Sequence, residues 1–291
     1  MSPQNERCRA IGPLDKLPPE IGDTFLPRGD FDPLPAPSQN DWLTVHPERG
    51  QPFEEFVQSQ PSKPDGVRNT ICLQPLEDFA SENAPPLEEL ARFASAFFAL
   101  PVHTLSPALL SEQQITSRTN PHSGQLQLLT RDVLGSLRRT MAASAFCTVA
   151  ITMRDLYPSP SWNFVFGEAS LSERVGVFSF ARYDPAFYGI RTSDRAAVML
   201  RRSCKVLAHE TSHMFGIQHC ILFNCLMNGS NHLDESDRRP LHLCPVDLRK
   251  LHQSIGFDIN KRYRDLLSFA RRAGFNDEAQ WIEKRQRILA A

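Results

Sequence analysis

The sequence predicts an α/β protein in which helices cover a largely buried sheet, and three observations carry that expectation. Residues 145–153 are an almost unbroken apolar run, the pattern of a strand covered on both faces. Leu87, Leu90, Phe93, Phe97 and Leu100 recur at helical spacing behind Glu88 and Glu89, acids that the helix dipole favours in a first turn. Residues 195–215 repeat the helical pattern with Ala197, Val198, Leu200, Val206, Leu207 and Met214 available for burial. Helices interleaved with apolar strands argue an α/β sheet. At 291 residues and 41% apolar content, the chain can bury a substantial core as one compact domain with extensions.

The elements follow in order. Of the 23 prolines, 12 fall within the first 64 residues, so residues 1–67 are expected to be extended or partly disordered. An aromatic island there, Trp42, Phe53 and Phe56, has surface enough to dock on the body. Residues 70–76 read as a first buried strand, 86–100 as a helix and 101–105 as a second strand. Residues 126–141 read as a helix weakened by Gly135. Beyond the central strand, 162–166 and 175–181 read as short strands. After the helix at 195–215, residues 246–255 and 263–289 read as helices, the last with its Arg and Lys on a solvated face. The expected division is an N-terminal segment 1–67, a central domain 68–258 and a C-terminal helix 259–291 packing on it.

Composition excludes several functions. A net charge of −1 supplies no basic field for nucleic acid or an anionic membrane, and no apolar run reaches the 18 residues of a span. The first residues hold no apolar signal core, so an intracellular protein of the cytoplasm, with the nucleus also open to it, is expected, acting as a monomer. Seven cysteines, an odd number, argue for reduced thiols over a disulfide framework. Cys72 and Cys147 lie in strand-like runs and read as small core residues.

The chemistry concentrates in residues 209–219. His209 and His213 stand four apart on a helix, stacked on one face where two ring nitrogens can reach one ion. Glu210 is rotated out of that pair but stays within reach of a water on the ion. Gly216 tolerates positive φ and can end the helix and turn the chain. His219 then returns as a third ligand. Buried histidines without metal are the alternative, which five fixed positions in eleven residues make remote.

Histidine, glutamate, histidine, glycine and histidine at these spacings, followed by a methionine turn, resemble the metzincin zinc peptidases. The run His219-Cys220, Cys225-Leu226-Met227 and Cys244 narrows the resemblance to the archaemetzincins. It extends over Ile151 to Tyr157, Asn163 to Gly167, Ser179 to Tyr183 and Asn231 to Leu241, roughly residues 69–262. The resemblance implies a metzincin-like mixed, twisted sheet, an active-site helix, a Met-turn and a small helical C-terminal subdomain. It also implies that Met227 forms a hydrophobic floor beneath the imidazoles without binding the metal. An antiparallel edge strand should roof the cleft and bind peptide by backbone pairing, a role that falls on Trp162, Asn163, Phe164, Val165 and Phe166.

Cys220, Cys225 and Cys244 have the spacing of a second, structural zinc site. The archaemetzincin pattern has a further cysteine where this chain has Asp247. A carboxylate can serve as fourth ligand, though a harder one than thiolate. His242 in its place, or no stable second ion, are the alternatives, and Asp247 also suits the first turn of a helix after Pro245.

The implied activity is zinc-dependent hydrolysis of peptide bonds, in small peptides and aminopeptidase-like, with Glu210 as general base and proton carrier. The rival is a non-catalytic zinc protein using the fold as an interaction scaffold, which an intact Glu210 disfavours. A cysteine-rich nucleic-acid binder has the wrong charge.

Overall fold

In the computed structural model, residues 3–76, 79 and 84–290 are described, so Met1, Ser2 and Ala291 of the expected terminal segments lie outside the described residues. The chain divides into two compact units, one of residues 1–63, 96–99 and 215–291, the other of residues 64–95 and 100–214. This differs from the three-part division expected above: the N-terminal segment and the C-terminal helices form one body.

In the first unit, proline-rich sequence alternates with short helices: α1 (Pro3–Ile11), α2 (Pro19–Gly22), α3 (Trp42–Val45) and α4 (Phe53–Gln58). These helices depart from the extended or partly disordered segment expected, while most residues between them lie outside any helix. Phe25, Phe31, Phe53 and Phe56 between the prolines are all buried, and their burial outweighs the poor local propensity.

The second unit holds β1 (Thr70–Pro75), most of α5 (Leu87–Phe98), β2 (Val102–Thr104), α6 (Leu110–Gln113), β3 (Ser117–Thr119) and β4 (Leu126–Leu129). It continues through α7 (Thr130–Thr140), β5 (Ala145–Thr152), β6 (Asp155–Tyr157), β7 (Gly167–Ser170), β8 (Val175–Ser179) and α8 (Arg195–Met214). The main sheet has the order β2-β1-β5-β8-β7, parallel except for the antiparallel edge strand β7. All eight residues of β5 are buried, as a central strand covered on both faces requires. A smaller sheet, β3-β4-β6, lies beside it in sequence.

Two readings are corrected here. Residues 126–129, expected to open a helix, form β4, because Leu128 and Leu129 pair with Leu156 and Tyr157 and bury there. Residues 162–166 form no strand beyond one isolated bridge between Val165 and Leu156; the edge strand begins at Gly167. The reason lies in the backbone groups of that stretch. Side chains of Arg118, Asn120 and Gln127 occupy the Asn163 carbonyl, and Arg118 also takes the carbonyls of Pro160 and Trp162.

Past α8 the first unit resumes with α9 (Leu233–Asp237), α10 (Pro245–Ile255), α11 (Ile259–Ala273) and α12 (Asn276–Ala290). The single helix expected over 263–289 is two, because Gly274 adopts φ +73° and closes α11 with a left-handed cap. Their cations are not all solvated. Arg285 is wholly buried and donates to the carbonyls of Thr24 and Leu26 and to the Asp30 carboxylate, at 2.6, 3.2 and 2.7 Å. Arg249 donates to the carbonyls of Ile11 and Pro13. These bonds fasten the N-terminal segment to α10 and α12.

Candidate metal centre

Helix α8 is amphipathic, and its buried face includes Met199, Leu200, Cys204, Leu207, Ala208, Thr211 and Met214. It packs on β5, β7 and β8. Gly176 of β8 permits the approach, since a Cβ there would lie 2.5 Å from the Met214 methyl carbon. His209, Glu210 and His213 are half-buried on the other face. Four residues apart, the two histidines bring their Nε2 atoms within 3.1 Å, with ring centroids 4.7 Å apart and planes at 85°. Two like ring nitrogens turned toward one point are the donor arrangement that a cation resolves.

The turn after α8 is held from a distance. Gly216 has φ +80°, and a Cβ on it would meet the Pro61 Cβ at 2.8 Å. Gln51 clamps both ends of the turn: its amide donates to the Gly216 carbonyl at 3.1 Å and its carbonyl accepts from the Gln218 N–H at 3.1 Å. His219, half-buried, places Nδ1 against the Glu48 carboxylate at 2.9 and 3.2 Å. The Trp42 indole N–H donates to the same carboxylate at 3.0 Å, and the Trp42 ring stands edge-on to the imidazole, centroids 5.2 Å apart.

Met227 is fully buried, and its carbonyl accepts from the Cys220 N–H at 2.8 Å. Asn228 organises this turn. Its carbonyl oxygen accepts from the Cys225 N–H at 2.7 Å, while its amide donates to the carbonyls of Cys220 and Phe223 at 2.7 and 2.9 Å. Sequence reasoning missed Glu48, Gln51 and Asn228; Asn228 had a signal in its place beside Met227 in a tight turn, where asparagine commonly bonds the backbone.

The second cluster is wholly buried. Donor atoms of Cys220, Cys225, Cys244 and Asp247 lie within 4.8 Å of one another. The sulfurs of Cys220 and Cys244 are 3.7 Å apart, and one Asp247 oxygen is 3.3 Å from the sulfurs of both Cys225 and Cys244. The other Asp247 oxygen accepts from the buried Lys250 ammonium at 2.9 Å. Hydrogen bonds from the Cys225 and Cys244 thiols pull the Cys220 thiol well below its usual range, whereas burial pushes those two thiols up. Burial also raises the Asp247 carboxyl to about 6, against the pull of Lys250. Three thiols and a carboxylate converging in a dry pocket have the chemistry of a tetrahedral zinc site. His242 is engaged elsewhere: Nδ1 meets the Glu278 carboxylate at 2.9 Å and the ring stacks on Trp281 at 3.5 Å.

The five residues expected on the roof are dispersed. Trp162 is 59% exposed; Phe164 lies under the Arg182 guanidinium; Phe166 stacks on Tyr183 at 5.0 Å. Asn163 accepts from Asn120 and Gln127, and Val165 donates its N–H to the Leu156 carbonyl. Of the nearby acids, Glu168 accepts from Thr130 and Glu173 pairs with Arg138.

The profile of peptidase family M54 matches residues 116–253, which include both clusters. Archaemetzincin-2 of Mus musculus is 42% identical over 278 residues, covering 86% of this chain and 77% of that protein. The chain belongs to the archaemetzincins. Archaemetzincin-2 of Homo sapiens is 39% identical over 276 residues, with 85% and 77% covered. A solved zinc-dependent peptidase from Methanocorpusculum labreanum is 25% identical with a TM-score of 0.48, covering 62% of this chain and 99% of that one. As an archaemetzincin the protein is a zinc metallopeptidase, a hydrolase whose substrates are peptides, and the scaffold-only alternative falls away. Among the described residues, no helix is long and apolar enough to cross a membrane.

Proposed function

We propose that the protein cleaves small peptides from their amino ends, with one catalytic zinc on His209, His213 and His219 and one structural zinc on Cys220, Cys225, Cys244 and Asp247. The observation that carries the reading is the pair of imidazole Nε2 atoms 3.1 Å apart on α8, with Glu210 next to the first of them. Neutral imidazoles and a carboxylate beside them are the donor chemistry of zinc hydrolases. When bound, zinc acidifies water and polarises a carbonyl as a Lewis acid.

The chain's own residues supply the rest. Glu210 removes the proton from the attacking water and delivers it to the leaving amine, which must depart protonated. Met227 lies buried in the turn that returns the chain to Cys220, and we assign it no part in binding the ion. Strand β7 is the antiparallel edge of a sheet on which α8 packs, so a peptide laid along it pairs through its backbone without demanding particular side chains. The four buried donors of the second cluster fasten the loop that follows His219 to α10, which supports a structural ion. A formal net charge of −1 supports no broad basic surface for nucleic acid or anionic membrane, and we take the protein to act as an intracellular monomer.

The test is Glu210→Gln in zinc-loaded protein against peptides with free or acetylated amino termini. We expect the parent to cleave only the free set. The variant should lose about 10² to 10⁴ in kcat/KM while zinc content stays unchanged. Equal cleavage by variant and parent would remove Glu210 from the mechanism, and equal cleavage of both peptide sets would make the enzyme an endopeptidase.

A further inference from the structure

Residues 46–51, His46-Pro47-Glu48-Arg49-Gly50-Gln51, contain no pattern that points to chemistry. They run between α3 and α4 in the N-terminal segment, and the structure brings them against the loop that carries His219. Gly50 makes the approach possible: its φ is +70°, and a Cβ there would lie 2.8 Å from the Ile221 side chain. Glu48 meets the imidazole with both oxygens, at 2.9 and 3.2 Å from Nδ1.

The Glu48 carboxylate is itself aimed. Trp42 donates its indole N–H to the oxygen nearer His219 and packs edge-on against that ring. Trp42 in turn sits over Gly229, where any Cβ would lie 2.4 Å from the indole, and its backbone N–H donates to both oxygens of the buried Glu235, at 3.1 and 3.0 Å. Glu235 also takes Arg239 at 2.8 Å and the Asn231 N–H at 2.7 Å. Neighbouring Asp41 is bound by Arg238 at 2.9 Å and His232 at 3.1 Å. With those partners in place, the Asp41, His232 and Glu235 group serves as a buttress for Trp42.

An imidazole has two nitrogens, and which one binds a metal is decided by what holds the other. A carboxylate on Nδ1 selects the tautomer with the proton there, fixes the ring plane and makes Nε2 a stronger donor. Side-chain exposures of 19% for His219 and 28% for Glu48 leave the pair partly screened from water, so the charge still acts on the ring. We propose that Glu48 is a positioning residue for the zinc ligand His219: its carboxylate holds Nδ1–H and presents Nε2 to the ion. This rests on the reading of His219 as third ligand, and it makes the proline-rich segment part of the metal centre.

The experiment uses the full chain with cobalt(II) and zinc as probes. Cobalt separates the two sites, because thiolate ligands give sulfur-to-metal charge-transfer bands and imidazoles do not. Chelator competition then measures affinity at the imidazole site for the parent, Glu48→Gln, Glu48→Ala and His219→Ala, with histidine Nδ1–H proton signals recorded in parallel. The expected order is parent, then Glu48→Gln about tenfold weaker, then Glu48→Ala weaker by up to about a hundredfold. The His219 Nδ1–H signal, assigned by its loss in His219→Ala, should shift in Glu48→Gln and vanish into exchange in Glu48→Ala, with the cysteine-site bands unchanged. If Glu48→Ala stays within about twofold of the parent, well short of that tenfold, while His219→Ala loses the ion, the positioning role is overturned and the three-histidine reading stands. If His219→Ala binds like the parent, both fall. Should Glu48→Ala fail to fold, the near-isosteric Glu48→Gln decides: an unshifted Nδ1–H signal and unchanged affinity overturn the proposal.

Discussion

Asp247 and Lys250 form an ion pair inside the protein, with side-chain exposures of 0% and 1% and a separation of 2.9 Å. Removing one partner of such a pair strands the other charge. Asp247→Ala is therefore expected to cost about 3–5 kcal/mol in urea unfolding. Metal analysis of the same variant should find the cysteine site depleted. Gly216→Ala acts through the backbone. At φ +80° an alanine costs about 1–2 kcal/mol, and its Cβ would also press on Pro61, so zinc should leave the histidine site faster in a chelator chase. His209, Glu210, His213, Gly216 and His219 were legible in the sequence because one helix turn and one bend set their spacing. Glu48 and Gln51 were not, because they reach their partners across 171 and 165 residues, a distance at which no local pattern records a contact.

Among the elements, α8 begins with an ion pair that answers to pH. Asp184 accepts from Arg195 and from the Ala186 N–H, and the Arg195 bond above all holds its carboxyl below the usual range. A group depressed in the folded state adds stability above its unfolded pKa, about 3.9, and loses it as pH falls through the folded value. Denaturation of Asp184→Asn should therefore be less pH-dependent than that of the parent below about pH 4, and the two curves should converge in stronger acid. The errors of sequence reading were also errors of element. Leu126, Leu128 and Leu129 fit a helical stripe with Val133 and Leu137 as well as they fit a strand, and only pairing with β6 decides between them. Gly274 stands inside residues 263–289, and a glycine there can be a tolerated member of one helix or the left-handed cap between two; the structure takes the second course. Strand β5, buried along its whole length, had no competing pattern, and there the sequence was sufficient.

For the molecule as a whole, the first unit depends on residues its local sequence gives little reason to trust. Phe56 has 0% exposure, so Phe56→Ala should cost about 3–5 kcal/mol, read as a lowered urea midpoint. Metal is the second whole-molecule term. An ion that binds only the folded chain adds about 4 kcal/mol when its free concentration is a thousand times Kd, so chelation should lower the melting temperature.

The bonds from Arg249 and Arg285 to the N-terminal segment close loops of 236 to 261 residues. A ribosome adding about 5–20 residues per second finishes Phe25 and Phe31 some ten to fifty seconds before the arginines that belong beside them. During that interval the aromatic rings lack partners they bury against, and apolar surface left open in this way favours aggregation of a nascent polypeptide.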